Sequence, residues 1–178
     1  YTEDSLTDGR TFYDRTKALG EVNDKKNLTF RNSIIGPDIK ESGIGLFNWF
    51  MKQTGSVNGF TGAIWTGVTT LTLAKAIERA LEVDLTGLFN LVNNNSINKF
   101  ELLKLFNKHF RNAVIFSSNV ESRFRNDKLL IIPSDKLQLD KTLKCTRTDF
   151  DFVVPSYEQM IIEMKEWIDL HKELYPHY

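Results

Sequence analysis

Apolar residues recur along the chain at two spacings, and each spacing predicts an element. Residues 11–23 read as a helix: they include Ala18, Leu19 and Glu21 and contain no proline. The run LTFRNSII, between Asn27 and Gly36, reads as one strand stopped by Gly36-Pro37. Residues 45–54 suit a short amphipathic helix, with Gly55 just beyond it. Residues 56–60 and 63–66 read as a short extended pair. Thr70 is placed as the N-cap of a helix that gathers Leu71, Ala74, Ile77 and Leu81 on one face. Residues 87–93 form a short strand. Asn98 and Glu101 make a capping box, and Phe100, Leu103, Phe106 and Phe110 give that helix its apolar stripe. Residues 113–117 read as a strand, 119–127 as a polar loop, and 129–132 as an apolar stretch ending at Pro133. The final helix opens on Ser156 and Gln159 after Pro155, with Met160, Ile161, Met164, Trp167 and Ile168 at helical spacing. This alternation of strands and helices predicts an α/β fold.

Composition narrows the function. The chain has 178 residues, 41% hydrophobic and 26% charged, enough for one ordinary domain or slightly more with a real core. Its 23 basic side chains cancel its 23 acidic ones, which argues against a nucleic-acid binder. Arg123 and Arg125 flank Phe124, but with no further clustering they read as a solvated loop. The single cysteine, Cys145, excludes an internal disulfide, and no histidine near it in sequence would activate it. His171 and His177 lie near the C-terminus and His109 far from them, so no metal site is expected. No apolar run is long enough to cross a membrane. The polar, acidic opening YTEDSLTDGR is not a targeting peptide, and it begins abruptly, as if within a longer protein. The expected location is the cytoplasm.

One constellation carries chemistry. In Tyr13-Asp14-Arg15-Thr16-Lys17 the four-residue step puts Tyr13 and Lys17 on one helical face, a turn apart. An ammonium beside a phenol favours the phenol's ionised form. Such a phenol can pass a proton to a carbonyl oxygen while a hydride reaches the carbonyl carbon. The lysine can also bond a cofactor ribose. The same pair alone is equally a solvated helix face.

The surroundings resolve this. The sequence FYDRTKALGE, a short polar gap and LTFRNSIIGPD resemble the second half of the extended short-chain dehydrogenase/reductase family. The matching features are Tyr13, Lys17, Gly20-Glu21, Arg31 near a strand centre, and Gly36-Pro37 at its end. Within that family the chain is most similar to sugar-nucleotide reductases of the dTDP-4-dehydrorhamnose reductase type. The likeness runs on through GLFNWFMKQTGSVNGFTGAIWTGVTTLTLAKAI, GLFNLVNNNSINKFELLKLF, LDKTLKCTRTDFDF and SYEQMIIEM, and is less sure between residues 117 and 137.

The resemblance implies a C-terminal portion of such an enzyme. Residues 1–40 would be the tail of a doubly wound, Rossmann-type NAD(P)-binding domain. Residues 41–178 would be mainly a small α/β substrate-binding domain. Tyr13 would protonate the 4-keto oxygen of a nucleotide-linked sugar, and Lys17 would bind the nicotinamide ribose. Asn32, Ile34 and Ile35 would pass beside the cofactor, and Asn32, Trp65 and Arg147 would touch the sugar nucleotide. Arg31 would either bridge within the core edge or shape the site. Trp49, Phe50, Phe60 and Trp65 are either core or a stacking surface, and Arg147 is either a diphosphate contact or an ordinary surface arginine. The implied cofactor is NADP or NAD, the implied partner a nucleotide sugar, and a homodimer is the implied assembly. The implied role is cell-surface polysaccharide precursor synthesis.

Two departures stand out. Asp14 follows the tyrosine where the family usually has glycine, and it either opposes Lys17 electrostatically or points away. No glycine-rich phosphate loop is present, since Gly43-Ile44-Gly45 lacks the spacing and follows the tyrosine helix, and the upstream serine or threonine partner is missing. The chain alone is therefore expected to bind dinucleotide weakly and turn over little. An epimerase or dehydratase shares the tyrosine-lysine pair, and a non-catalytic subunit shares the fold, so both stay open beside the reductase.

Overall fold

The computed structural model describes residues 1–111 and 129–178. The chain runs α1 (Phe12–Leu19), β1 (Leu28–Arg31), β2 (Ile34–Ile35), α2 (Leu46–Met51), β3 (Ser56–Trp65), β4 (Val68–Thr69) and α3 (Thr70–Glu82). It continues β5 (Gly87–Asn90), β6 (Ile97–Asn98), α4 (Lys99–Phe106), a π-helical turn (Asn107–Arg111), β7 (Leu130–Lys141) and α5 (Tyr157–Leu170). The α/β class is the one the spacing predicts. The strand expected at 113–117, the loop at 119–127 and the Arg123–Arg125 pair lie outside the described residues.

Three small sheets form. β1 pairs with β5 in parallel, β2 with β4 in parallel, and β3 lies between antiparallel β6 and parallel β7. The single strand expected at 28–35 is thus two. The chain breaks at Asn32-Ser33 and steps from one partner to another, with Leu91 donating to the Arg31 carbonyl and Val68 to that of Ser33, each at 3.0 Å.

The pair expected at 56–66 is instead one strand. β7 does not stop at Pro133, which lies opposite Gly59. Among the described residues β7 is the outer strand of its sheet, where a missing N–H leaves no central ladder broken. Between Phe60 and Gly62, β3 advances two residues while β7 advances four, so β7 bulges.

One core gathers Phe47 and Phe50 of α2, Leu103 and Phe106 of α4, Ile131 of β7, and Ile161, Met164 and Ile168 of α5. A second gathers Ala76 and Ala80 of α3, Phe89 of β5, Phe150, Tyr157 and Met160. Trp65, Ile97 and Leu105 pack against both. The N-caps at Asn98 and Ser156 form, their side chains accepting from the amides of Glu101 and Gln159, but the reciprocal half of each expected capping box does not: the Glu101 side chain accepts from Lys104 and the Gln159 side chain donates to Glu163. The α3 cap is Thr69, one residue earlier than expected.

The α3 face differs more. Thr72, Ala76 and Ala80 are buried, while Ile77 and Leu81 face solvent. Small residues four apart let the helix come close to Met160, and Lys75–Glu163 and Arg79–Asp151 ion pairs hold that orientation.

Gly59 is required by a close approach. A Cβ there would come within 2.6 Å of Phe100 Cδ2 and 2.9 Å of its Cα, so α4 lies directly on β3. Gly59→Ala is expected to cost about 1–3 kcal/mol by overpacking. A lowered urea midpoint with an unchanged denaturant slope is the expected reading.

Candidate active site

The helix carrying Tyr13 starts at a reciprocal cap. Thr11 Oγ1 accepts from the Asp14 amide and Asp14 Oδ2 accepts from the Thr11 amide, each at 3.1 Å. These bonds from Thr11 hold the Asp14 carboxyl below its ordinary range. Asp14 therefore serves the helix start. α1 ends at Gly20, short of the expected residue 23.

Tyr13 and Lys17 come together as their spacing requires, with Lys17 Nζ 5.7 Å from the centroid of the Tyr13 ring. Tyr13 is 67% exposed, and α1 buries none of its residues. Phe12 and Leu19, each 85% exposed, present apolar surface on the same helix. An open hollow of about 400 Å³ beside α1 is lined by Thr7, Gly9, Arg15, Ala18 and Leu19.

Arg31 anchors the end of this helix. Its Nε and Nη2 both bond the Glu21 carboxylate at 2.7 Å, and Nη1 faces the carbonyls of Thr2, Glu3 and Ser5 at 3.4 Å. Of the two roles open to Arg31, the structure supports the bridging one. Glu3 continues the seam: it accepts from the amides of Asn90 and Thr146 at 3.0 Å and from Thr146 Oγ1 at 2.6 Å. The opening segment is thereby laid across the carboxyl ends of β1 and β5. Asn90 is fully buried there, its amide nitrogen donating to the Lys144 carbonyl.

Partial burial raises the Glu3 pKa, but the bonds from Thr146 and Asn90 outweigh it, and the net shift is downward from 4.5. A depressed carboxyl stabilises the fold above its unfolded value and loses that effect as pH falls through the folded value. Glu3→Gln is expected to lower stability by about 1 kcal/mol at pH 7. In urea titrations that difference from the parent should vanish well below pH 4.5.

The loop after β1 distributes the other candidates. Asn32 Nδ2 is buried without a partner among the described residues, and Ile34 is 53% exposed. Trp65 is partly buried at the seam of the two cores, its ring 5.8 Å from that of Tyr157. Gly67 separates the indole from this loop: a Cβ there would come within 2.2 Å of Trp65 Cζ2 and 2.3 Å of the Ser33 carbonyl oxygen. Asn32, Ile34 and Trp65 therefore share one neighbourhood.

Two of the expected contact residues are taken up within the fold. Ile35 is 6% exposed and its side chain belongs to the main core, turned inward from β2. Arg147 is committed to protein partners. Its Nε and Nη2 bond Asp149 at 2.9 and 2.5 Å, and Nη1 donates to the carbonyls of Thr86 and Leu88. It also sits beside Gly87, at the amino end of β5, while Asn32 follows the carboxyl end of β1. The strands separate the two by about 10 Å, three rises of ~3.3 Å.

Burial pushes the Cys145 thiol up to about 11 and the Tyr157 phenol up to about 12, so neither ionises near neutrality. The Tyr157 hydroxyl is held by the Asn95 carbonyl at 2.6 Å. Two features escaped the sequence reading. Glu3 sits in a polar opening with no local signal, and Lys99 has its ring partners, Trp49 and Phe60, far away in sequence.

No protein-family model and no curated protein matches the chain. Solved structures do. A hypothetical dTDP-4-dehydrorhamnose reductase from Sulfolobus tokodaii is 19% identical with a TM-score of 0.61, covering 89% of this chain and 56% of that one. The chain shares its fold. A dTDP-4-dehydrorhamnose reductase from Bacillus anthracis in complex with NADP is 15% identical (TM-score 0.59, 89% of this chain, 52% of that one). A dTDP-glucose 4,6-dehydratase from the same organism, in complex with NAD, is 13% identical (TM-score 0.60, 97% of this chain, 57% of that one). The chain thus spans little more than half the length of these enzymes. Among the described residues, no helix is long and apolar enough to cross a membrane.

Proposed function

We propose that this chain is the proton-donor helix and substrate-binding portion of an NAD(P)H-dependent reductase. Its substrate is a nucleotide-linked 4-keto-6-deoxy sugar, made in the cytoplasm for cell-surface polysaccharide. The observation that carries the reading is Tyr13 with Lys17 stacked one turn away on an exposed helix, within a fold shared with sugar-nucleotide enzymes.

A nicotinamide cofactor, when bound, supplies the hydride. Tyr13, Lys17, Asn32 and Ile34 fit the nicotinamide-ribose end: an exposed phenol, an ammonium over its ring, a buried amide donor without a partner among the described residues, and an open apolar side chain. Nothing in the chain fits the diphosphate end, because there is no glycine-rich loop before a helix. That end belongs to a dinucleotide-binding portion outside this sequence. Tyr13 Oη delivers its proton to the 4-keto oxygen as the carbon is reduced, and the sugar alcohol leaves. Lys17 stabilises the phenolate that remains and orients the ribose.

The dehydratase likeness, at a TM-score of 0.60, falls between those of the two reductases, at 0.61 and 0.59, so a second reading is a dehydratase or epimerase using the same pair. Redox balance separates them. A reductase consumes one NAD(P)H per sugar, whereas dehydration and epimerisation leave the cofactor unchanged overall. NADPH oxidation with dTDP-4-keto-6-deoxy-L-mannose, in the complete protein that contains this chain, tests the assignment. Stoichiometric oxidation is expected. Sugar conversion without oxidation would move the assignment to the second reading, and cofactor binding without any conversion to a regulatory subunit.

A further inference from the structure

Asn48, on α2, is fully buried, and every polar atom of its side chain is engaged. Its Nδ2 donates to the carbonyls of Glu41 at 3.0 Å and Gly43 at 2.5 Å, which leaves Oδ1 as the acceptor. Oδ1 accepts from the Tyr178 hydroxyl at 3.1 Å, and that hydroxyl accepts in turn from the Asp38 amide at 3.0 Å. The Asp38 carboxylate accepts from the Gly45 amide at 3.0 Å. Residues 38–45 are thus tied at both ends and in the middle, and a side chain 130 positions beyond Asn48 supplies one of the ties. Tyr178 is partly buried against Phe47, their ring centroids 5.0 Å apart, and burial pushes its phenol up, so it keeps the proton it donates.

This tied loop is continuous with the candidate site. Only Ile35, Gly36 and Pro37 separate the half-exposed Ile34 from Asp38. The link is short and stiff. Ile35 is packed in the core, a Cβ on Gly36 would come within 2.1 Å of Thr70 Oγ1, and the Pro37 ring fixes its φ. β2 itself is two residues long and pairs with an equally short β4. Pairing that brief holds a strand weakly, so its orientation depends on what grips its far end. The grip is the Asp38 amide on Tyr178.

We propose that Tyr178 is a positioning residue for cofactor binding: through Asn48 and Asp38 it fixes the segment that presents Ile34 to the nicotinamide. This rests on the cofactor-facing place of Ile34 proposed above. Tyr178 touches neither cofactor nor sugar in this scheme. Its hydroxyl is the shared joint, and without it Asn48 Oδ1 and the Asp38 amide lose their partner together.

The test compares the complete protein that contains this chain with its Tyr178→Phe variant, which keeps the ring on Phe47. Hydrogen exchange reads the loop, and NADPH fluorescence reads cofactor affinity. In the variant the amides of Asp38, Gly43 and Gly45 should exchange about tenfold faster, while those of α3 keep the parent rate. NADPH should bind about three- to tenfold more weakly, the worth of one hydrogen bond, with kcat at saturating NADPH unchanged. A purely structural tyrosine would speed exchange throughout the fold and leave cofactor affinity alone. Loop amides that kept the parent rate would overturn the inference, and so would local loosening with parent-like NADPH affinity; both leave the cofactor reading in place. A parent that bound neither NADPH nor NADH would overturn that reading and the inference with it. If Tyr178→Phe does not fold, Asp38→Ala, which removes the tie to Gly45, decides in the same way.

Discussion

Tyr13→Phe is expected to lower keto-sugar reduction by about 10²–10⁴-fold, the range attributable to a positioned general acid. The variant loses one oxygen and keeps the ring that lies over Lys17. Substrate and cofactor affinity should therefore change little, and the loss should fall on kcat. Folding should be untouched, because Tyr13 is largely exposed and α1 buries nothing. Lys17→Met should divide differently, raising the KM for the cofactor as well as lowering kcat, because in the proposed mechanism Lys17 supplies both the ribose contact and the charge that stabilises the phenolate. Steady-state NADPH oxidation alongside thermal melting checks all of this. A Tyr13→Phe variant that kept more than a tenth of the parent rate would remove Tyr13 from the proton path. Asp14 offers a control. Its carboxylate is taken by the Thr11 cap, so Asp14→Asn should weaken the helix start slightly and leave the rate near that of the parent.

These expectations rest on the part of the molecule that local sequence encodes well. The Tyr13–Lys17 pair, the Asn98 cap and the Ser156 cap all depend on residues within four positions of one another, and helical periodicity alone places them. What sequence reading misses is decided by distant partners. The buried face of α3 follows from Met160 and from ion pairs to Asp151 and Glu163, not from the larger apolar residues Ile77 and Leu81. The break at Asn32-Ser33 exists because β5 and β4 recruit successive pieces of one apolar run. Pro133 fails to end β7 because, among the described residues, its strand is the outer one. The same logic sorts the site. Ile35 and Ile34 look alike in sequence, yet one strand turn buries the first and exposes the second. Arg147 has the side chain to hold a diphosphate, but Asp149 and two carbonyls of the β5 region already take its donors. Lys99 meets rings about 40 and 50 positions upstream in sequence.

Arg31→Met is expected to cost about 2 kcal/mol of stability and to disturb the site through α1. Removing one partner of a buried, doubly bonded pair leaves a carboxylate without its counter-charge, an effect of ~3–5 kcal/mol in full burial. Both side chains here keep some contact with water, 16% for Arg31 and 24% for Glu21, which reduces the figure. The carbonyls of Thr2, Glu3 and Ser5 lose a shared donor in the same substitution. Arg31→Lys should recover little, because an ammonium cannot match both Glu21 oxygens and reach those carbonyls together. The double variant Arg31→Met, Glu21→Met should be more stable than Arg31→Met alone, because it leaves no orphaned charge. Urea unfolding measures these differences, and limited proteolysis localises them. Cleavage should accelerate between residues 2 and 23 while the remainder stays protected, because Arg31 and Glu3 tie the opening segment and the end of α1 to β1 and β5. Activity should fall together with that local loosening, even though Arg31 touches neither sugar nor cofactor in this scheme. A variant with parent-like stability but reduced turnover would instead make Arg31 a direct member of the site.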